Sequence, residues 1–221
     1  PDIAAVGDAP ILHDNLMSSE YTHGIRIGGV KLTLDGSPQG KTAWFTQPYF
    51  KAPNGQNAEY KGYPAFSDEE ALKWMKLAFD NKWQLLAHTN GDAAIDQLIR
   101  LVDQLKPSLN GYEHRTVMIH GQFTRKDQVK KLKKLGIFPS LYPMHTFYWG
   151  DWHRDSVAGV ERASNISPTG WLLDEGMRFT IHSDAPVTFP NSMRLLDSAV
   201  NRTTRTNEIL GLQHQLKPLE A

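Results

Sequence analysis

Three segments of this chain run from an apolar stretch into a histidine. Trp83-Gln84-Leu85-Leu86-Ala87 ends in His88, Thr116-Val117-Met118-Ile119 ends in His120, and Phe179-Thr180-Ile181 ends in His182-Ser183-Asp184. A histidine or aspartate in that place sits at the carboxyl end of a buried strand, where α/β folds put their chemistry. Imidazole nitrogen and carboxylate oxygen are the ligands of a divalent, zinc-like ion that keeps one position for water. These strand ends are therefore expected to meet around a metal. Lys31, inside the alternating run Ile25 to Leu34, reads either as a solvent-edge lysine or as a lysine buried between Val30 and Leu32. Burial would lower its pKa, so that its amine could take up carbon dioxide and, once carboxylated, bridge two metal ions.

The elements that must position these residues follow from periodicity. Ser67-Asp68-Glu69-Glu70 is a capping-box signature, and Leu72, Met75 and Phe79 give the following helix an apolar stripe ending near Asn81. After the strand from Trp83, the residues Ile95, Leu98, Ile99 and Val102 fall at helical spacing. A helix from Thr124 stops at Gly136, a strand runs from Ile137 to Leu141, and Ser167-Pro168 opens a short helix ending at Gly176. The strand Arg178 to Ile181 and a helix from about Asn191 through Val200 complete the pattern. Residues 36–63 and 142–166 read as long loops, the second loaded with aromatics. Five strands alternating with helices predict parallel pairing and right-handed crossovers. That is either an open sheet or a (β/α)8 barrel with its first three strands missing.

Composition narrows the function classes. The 221 residues carry 24 basic and 24 acidic side chains, with 40% apolar and 22% charged content. No global charge steers the chain to nucleic acid or to a membrane surface, and no apolar run reaches the ~18 residues of a membrane span. There is no cysteine, which excludes disulfides and thiolate ligands. The compartment stays open, with the cytoplasm slightly favoured. Gly36-Ser37-Pro38-Gln39-Gly40-Lys41-Thr42 has glycines and a Lys-Thr pair, but its spacing is short of the nucleotide-binding loop.

Taken in order, Gly29-Val30-Lys31-Leu32 with Asp35-Gly36-Ser37 and Thr42-Ala43, His88 with Gly91-Asp92-Ala93, His114-Arg115 leading to His120, and Ser183-Asp184-Ala185-Pro186 resemble the motifs of amidohydrolase family 3, from about residue 27 onward. This branch of the amidohydrolase superfamily contains the N-substituted formamide deformylases and the exoenzyme-regulator proteins. The resemblance implies a partial TIM barrel covering strands four to eight, filling residues 1–221 as one domain. Within it, 1–24 is a loop or lead-in segment, 25–202 holds five β/α units, and 203–221 starts a truncated C-terminal element whose Leu216 to Ala221 look like a first helical turn.

The resemblance further implies Lys31 as a carboxylated bridge between one or two divalent ions, zinc by expectation, with His88 and His120 as ligands. Asp184 would bind metal and act as general base. His145 takes the place of a substrate-contacting histidine, and Trp149 belongs to an aromatic wall for an N-linked substituent. The expected reaction is hydrolysis of a C–N bond in a small amide, formamide or cyclic amide by metal-activated water. Two departures stand out. No His-x-His pair precedes Lys31, since His13 and His23 stand alone, and the position before Ser183, often glycine in the family, is His182. The missing pair favours the competing reading, a catalytically incomplete barrel or a non-enzymatic binding module. Such a chain is expected to associate with itself or with the missing N-terminal part.

Overall fold

The structure, a computed structural model, describes residues 2–6 and 20–221. His13 and most of the expected lead-in segment lie outside the described residues. Helix α1 (Ile3–Val6) is followed by β1 (Val30–Thr33), α2 (Asp68–Asp80), β2 (Leu85–Thr89), α3 (Asp92–Leu105) and β3 (Val117–His120). Then come α4 (Lys126–Leu135), β4 (Phe138–Leu141), α5 (Met144–Trp152), a π-helical segment (His153–Val157), α6 (Gly159–Ala163), α7 (Thr169–Asp174), β5 (Thr180–Ile181) and α8 (Ser192–Val200).

The five strands pair in sequential order, β1-β2-β3-β4-β5, and every pair is parallel. A doubly wound sheet would reverse its strand order at a switch point, whereas this order is that of an arc of a (β/α)8 barrel. The fold is thus a partial TIM barrel. One sheet face, carrying Val30, Leu32, Leu85, Ala87 and Met118, is fully buried against Met75 and Phe79 of α2, Ile95, Leu98 and Val102 of α3, and Val129 and Leu132 of α4. The opposite face is half-open.

Local chemistry explains where the elements begin and end. Ser67 caps α2, its hydroxyl accepting from Glu70 N–H while the Glu70 carboxylate accepts from Ser67 N–H. Gly136 ends α4 in the left-handed conformation at φ 75°. Gly91 precedes α3, and a Cβ there would lie 1.9 Å from the Trp44 carbonyl oxygen, so only glycine lets the 36–63 loop pass.

Several boundaries differ from expectation. The first strand is shorter than Ile25 to Leu34: its first half contains Gly28-Gly29, and Ile25 is instead exposed, in an isolated bridge to Thr22. Residues 142–166 are largely helical rather than loop, because Met144–Trp152 forms α5 without any apolar period, its two faces both touching protein. The chain's last residues form a turn, with Glu220 N–H donating to Lys217 O at 2.8 Å, after a segment pinned by Arg202. That guanidinium, fully buried, donates to the carbonyls of Ile166, Ser167 and Leu210.

Candidate metal centre

At the carboxyl ends of β2, β3 and β5 three imidazoles meet edge to edge. His88 Nδ1 lies 3.1 Å from His120 Nε2, and His120 Nδ1 lies 3.0 Å from His182 Nε2. The donor atoms of His120, His182 and Asp184 all fall within 4.8 Å of one another. Strict strand alternation would send His120 with Met118 toward the helix layer. Its backbone is left-handed, at φ 73°, and this carries the ring back to His88. Asp184 is also left-handed, at φ 51°.

The outer atoms of the cluster are held by the strand ends around it. His88 Nε2 faces the Gly36 carbonyl at 3.3 Å, the Asn90 amide at 3.1 Å and Asp35 Oδ1 at 3.7 Å. His182 Nδ1 lies 3.0 Å from Ser140 Oγ, which accepts from Thr180 Oγ1 at 3.0 Å. Two proton orders run through this chain in opposite senses: either Ser140 donates to His182, His182 to His120, His120 to His88 and His88 to the Gly36 carbonyl, or the Asn90 amide donates to His88 and the rings pass their protons on to Ser140 Oγ. Tyr142 stacks on His182 with ring centroids 5.4 Å apart, and its hydroxyl donates to Thr188 Oγ1. Thr188 in turn donates to the Ser183 carbonyl, which anchors the turn bearing Asp184.

Burial is the main cause that holds the rings neutral. It pushes His120 down to about 2, helped by His88, His182 and Lys31. His182 falls to about 4, burial and Lys31 prevailing over the opposing charge of Asp184. His88 is lowered by burial and Lys31, against the Gly36 carbonyl and Asp184. At neutral pH each ring therefore offers a lone pair rather than a second proton, the form that a cation takes. Three nitrogen or oxygen donors at this spacing fit a divalent ion.

The sequence-expected residues do not all behave alike. His88, His120 and Asp184 come together as expected from their strand ends. Lys31 shares their sheet face, its strand register placing Thr33 beside His88, but it is exposed rather than buried between Val30 and Leu32. Those two neighbours point into the helix layer. His145 is buried beside Tyr142 and Trp149, both at 4.7 Å between ring centroids, on the flank of the cluster. His114 binds Thr116 and the Leu135 carbonyl at the opposite end of β3 and serves the fold. Sequence reasoning had no role for His182, although it stands at a strand end just as His88 and His120 do. Ser140 and Asn90 carried no signal beyond their positions.

Imidazoles and a carboxylate thus converge at the carboxyl face of a parallel barrel arc. The chain belongs to the amidohydrolase family, whose model matches residues 10–221. It is 28% identical over 181 residues to Protein LONG AFTER FAR-RED 3 of Arabidopsis thaliana, covering 80% of this chain and 29% of that protein. It is 24% identical over 178 residues to YtcJ of Bacillus subtilis (strain 168), a protein classed among the amidohydrolases, covering 80% of this chain and 32% of that one. Among solved structures it resembles an uncharacterised metal-dependent hydrolase from Pyrococcus furiosus, with TM-score 0.76 and 22% identity, covering 95% of this chain and 41% of the other. A second, from Pyrococcus horikoshii OT3, gives 0.75 and 23%, with 92% and 40% covered. The chain thus spans about a third of the curated relatives and two fifths of the solved chains. No helix among the described residues is long and apolar enough to cross a membrane.

Proposed function

We propose that this chain supplies the histidine and aspartate side of a divalent metal centre, zinc by the nature of its donors, in a hydrolase of small-molecule C–N bonds in amides, formamides or cyclic amides. The observation that carries the reading is the convergence of His120, His182 and Asp184 donor atoms within 4.8 Å at parallel strand ends. His88, His120, His182 and Asp184 would hold the metal, with Lys31 reaching the same face as a further ligand once carboxylated. The metal's contribution when bound is to lower the pKa of a water and to polarise the substrate carbonyl. Asp184 then accepts the proton of the attacking water and returns it to the leaving nitrogen. His88 is kept in one orientation by Gly36, Asn90 and Asp35, the outer support that metal-bound imidazoles need. Trp149, half-buried beside His145, offers an aromatic surface suited to an N-linked substituent.

The test is elemental analysis of the purified chain before and after incubation with zinc, beside His120→Ala and His182→Ala. Retention of one or two equivalents, lost in both variants, is the expected result, and zinc content equal in all three would overturn the reading. Asp184→Asn should then keep metal and lose hydrolysis of a formamide and amide panel. The exposure of Lys31 favours a second reading, in which the described arc is a binding module that works only with further strands. The outer edge of β5, and that of β1 beyond its parallel bridge from Asp2 to Lys31, are the surfaces through which those strands, or a second copy, would pair.

A further inference from the structure

Beside the metal cluster lies a second pair of imidazoles. His145 is 3% exposed and His153 is fully buried. His145 Nδ1 and His153 Nε2 are 2.9 Å apart, and the ring planes differ by only 4° with centroids 5.2 Å apart. Those values describe two coplanar rings joined nitrogen to nitrogen, not a face-to-face stack. Phe123 packs edge-on against His153, and the remaining nitrogen of that ring, Nδ1, is sealed from solvent without a hydrogen-bond partner among the described residues. His153 also opens the π-helical segment, closed by Ala158 N–H donating to the His153 carbonyl at 2.9 Å. Such widened turns recur at functional sites.

Burial keeps both rings neutral, so one proton is shared between them and two arrangements compete. If His145 Nδ1–H donated, His153 would carry its own proton on Nδ1, a buried N–H with no acceptor. If His153 Nε2–H donates, only a bare lone pair is left at Nδ1. A sealed, unsatisfied N–H loses its hydrogen bond to water with nothing in return, and such orphan donors are rarer than under-satisfied acceptors. The second arrangement wins.

We infer that His153 is a positioning residue that fixes His145 as its Nε2–H tautomer, making His145 a hydrogen-bond donor to an oxygen ligand, a carbonyl or carboxylate, and neither a base nor a metal ligand. Unlike His153 Nδ1, His145 Nε2 is not a sealed and partnerless atom among the described residues, so a proton there carries no such penalty. Tyr142, which touches His145, also stacks on His182, so the donor flanks the metal cluster. A substrate carbonyl as its acceptor rests on the proposed function; the tautomer does not.

The experiment is a long-range proton–nitrogen correlation on the chain labelled with 15N-histidine, at neutral pH, for the wild type, His153→Phe and His153→Gln. The expected spectrum shows a bare Nδ1 and a protonated Nε2 on both His145 and His153. His153→Phe, which keeps the ring and removes the donor, should give His145 a mixture of tautomers, and His153→Gln, whose amide can donate, should restore one. A protonated Nδ1 on His145 in the wild type, or an unchanged His145 in His153→Phe, overturns the inference. Should the Phe variant fail to fold, the wild-type and Gln spectra decide the matter. In the zinc-loaded chain, His153→Phe should lower kcat/KM for a formamide probe about tenfold, the worth of one hydrogen bond, with His153→Gln recovering most of it. An unchanged kcat/KM removes the substrate contact, whereas a wild type that hydrolyses nothing defeats the proposed function and leaves the tautomer to the spectrum.

Discussion

At the level of single residues, the backbone of His120 decides where the cluster forms. It ends β3 at φ 73°, a conformation that costs an L-residue roughly 1–2 kcal/mol and is worst for β-branched side chains. Strained backbone of this kind collects at sites where the geometry itself has a use, and here it turns a ring that alternation would bury under the helices. The strain gives a prediction that inverts the usual strand preference. Valine normally outranks asparagine in a strand, yet His120→Val should be less stable than His120→Asn by about 1–2 kcal/mol, because asparagine tolerates the left-handed region. Urea unfolding of the two variants measures this, and a more stable valine variant would show that the residue relaxes to ordinary strand geometry. The identity of His88, His120 and Asp184 as neighbours was legible in the sequence because each follows an apolar run at a strand end. The partnership with His182 was equally visible by that criterion, but the family habit of glycine at its position hid it.

Between elements, Asp35 is the joint. Its carboxylate, just past β1, accepts from the backbone N–H of Trp44 and Gly91 on one oxygen and of Asn90 on the other. It thereby ties the end of β1, the long loop and the turn from β2 into α3, and stands beside His88. Burial is the largest influence on it and raises its pKa to about 7 despite those three N–H groups. In Asp35→Asn one oxygen becomes NH2, which must oppose at least one backbone N–H whichever way the amide is turned. A loss of about 1–3 kcal/mol in unfolding free energy is expected, measured by urea unfolding at pH near neutral. An unchanged midpoint would mean the joint adds nothing. Elements themselves were the most readable level: the Ser67 box and the Gly136 stop stand where the sequence placed them, since caps are local chemistry. The stretch after Tyr142 was misread as loop because a helix clothed in protein on both faces has no apolar period to find.

For the molecule as a whole, strand order is the feature local periodicity cannot carry, and it is what separates a barrel arc from an open doubly wound sheet. The arc gathers its histidines in the interior, and that has a consequence for acid stability. His153 and His214, both away from the metal cluster, are buried with pKa values pushed down to about 3, in each case mainly by burial. Their folded values lie below the ordinary value of about 6.5, so unfolding takes up protons at acid pH. The stability they contribute is complete above about pH 6.5 and is lost as pH falls toward 3. Asp35 works in the opposite sense, its raised pKa making the fold less stable as pH rises toward 7, but it is one group against two. Between pH 6.5 and 5 each histidine removes up to about 2 kcal/mol, and the net loss for these three groups is about that much. Urea unfolding of the metal-free chain at these two pH values should show at least that loss, because the lowered imidazoles of His88, His114, His120, His145 and His182 act in the same direction. His214→Gln, which keeps an amide to meet Asn165 where the imidazole Nε2 now lies 3.1 Å from its oxygen, should flatten the dependence by about one group's share. A profile that does not change with pH in the wild type would mean that the buried rings find water or a partner on protonation, and that the interior is less dry than its packing indicates.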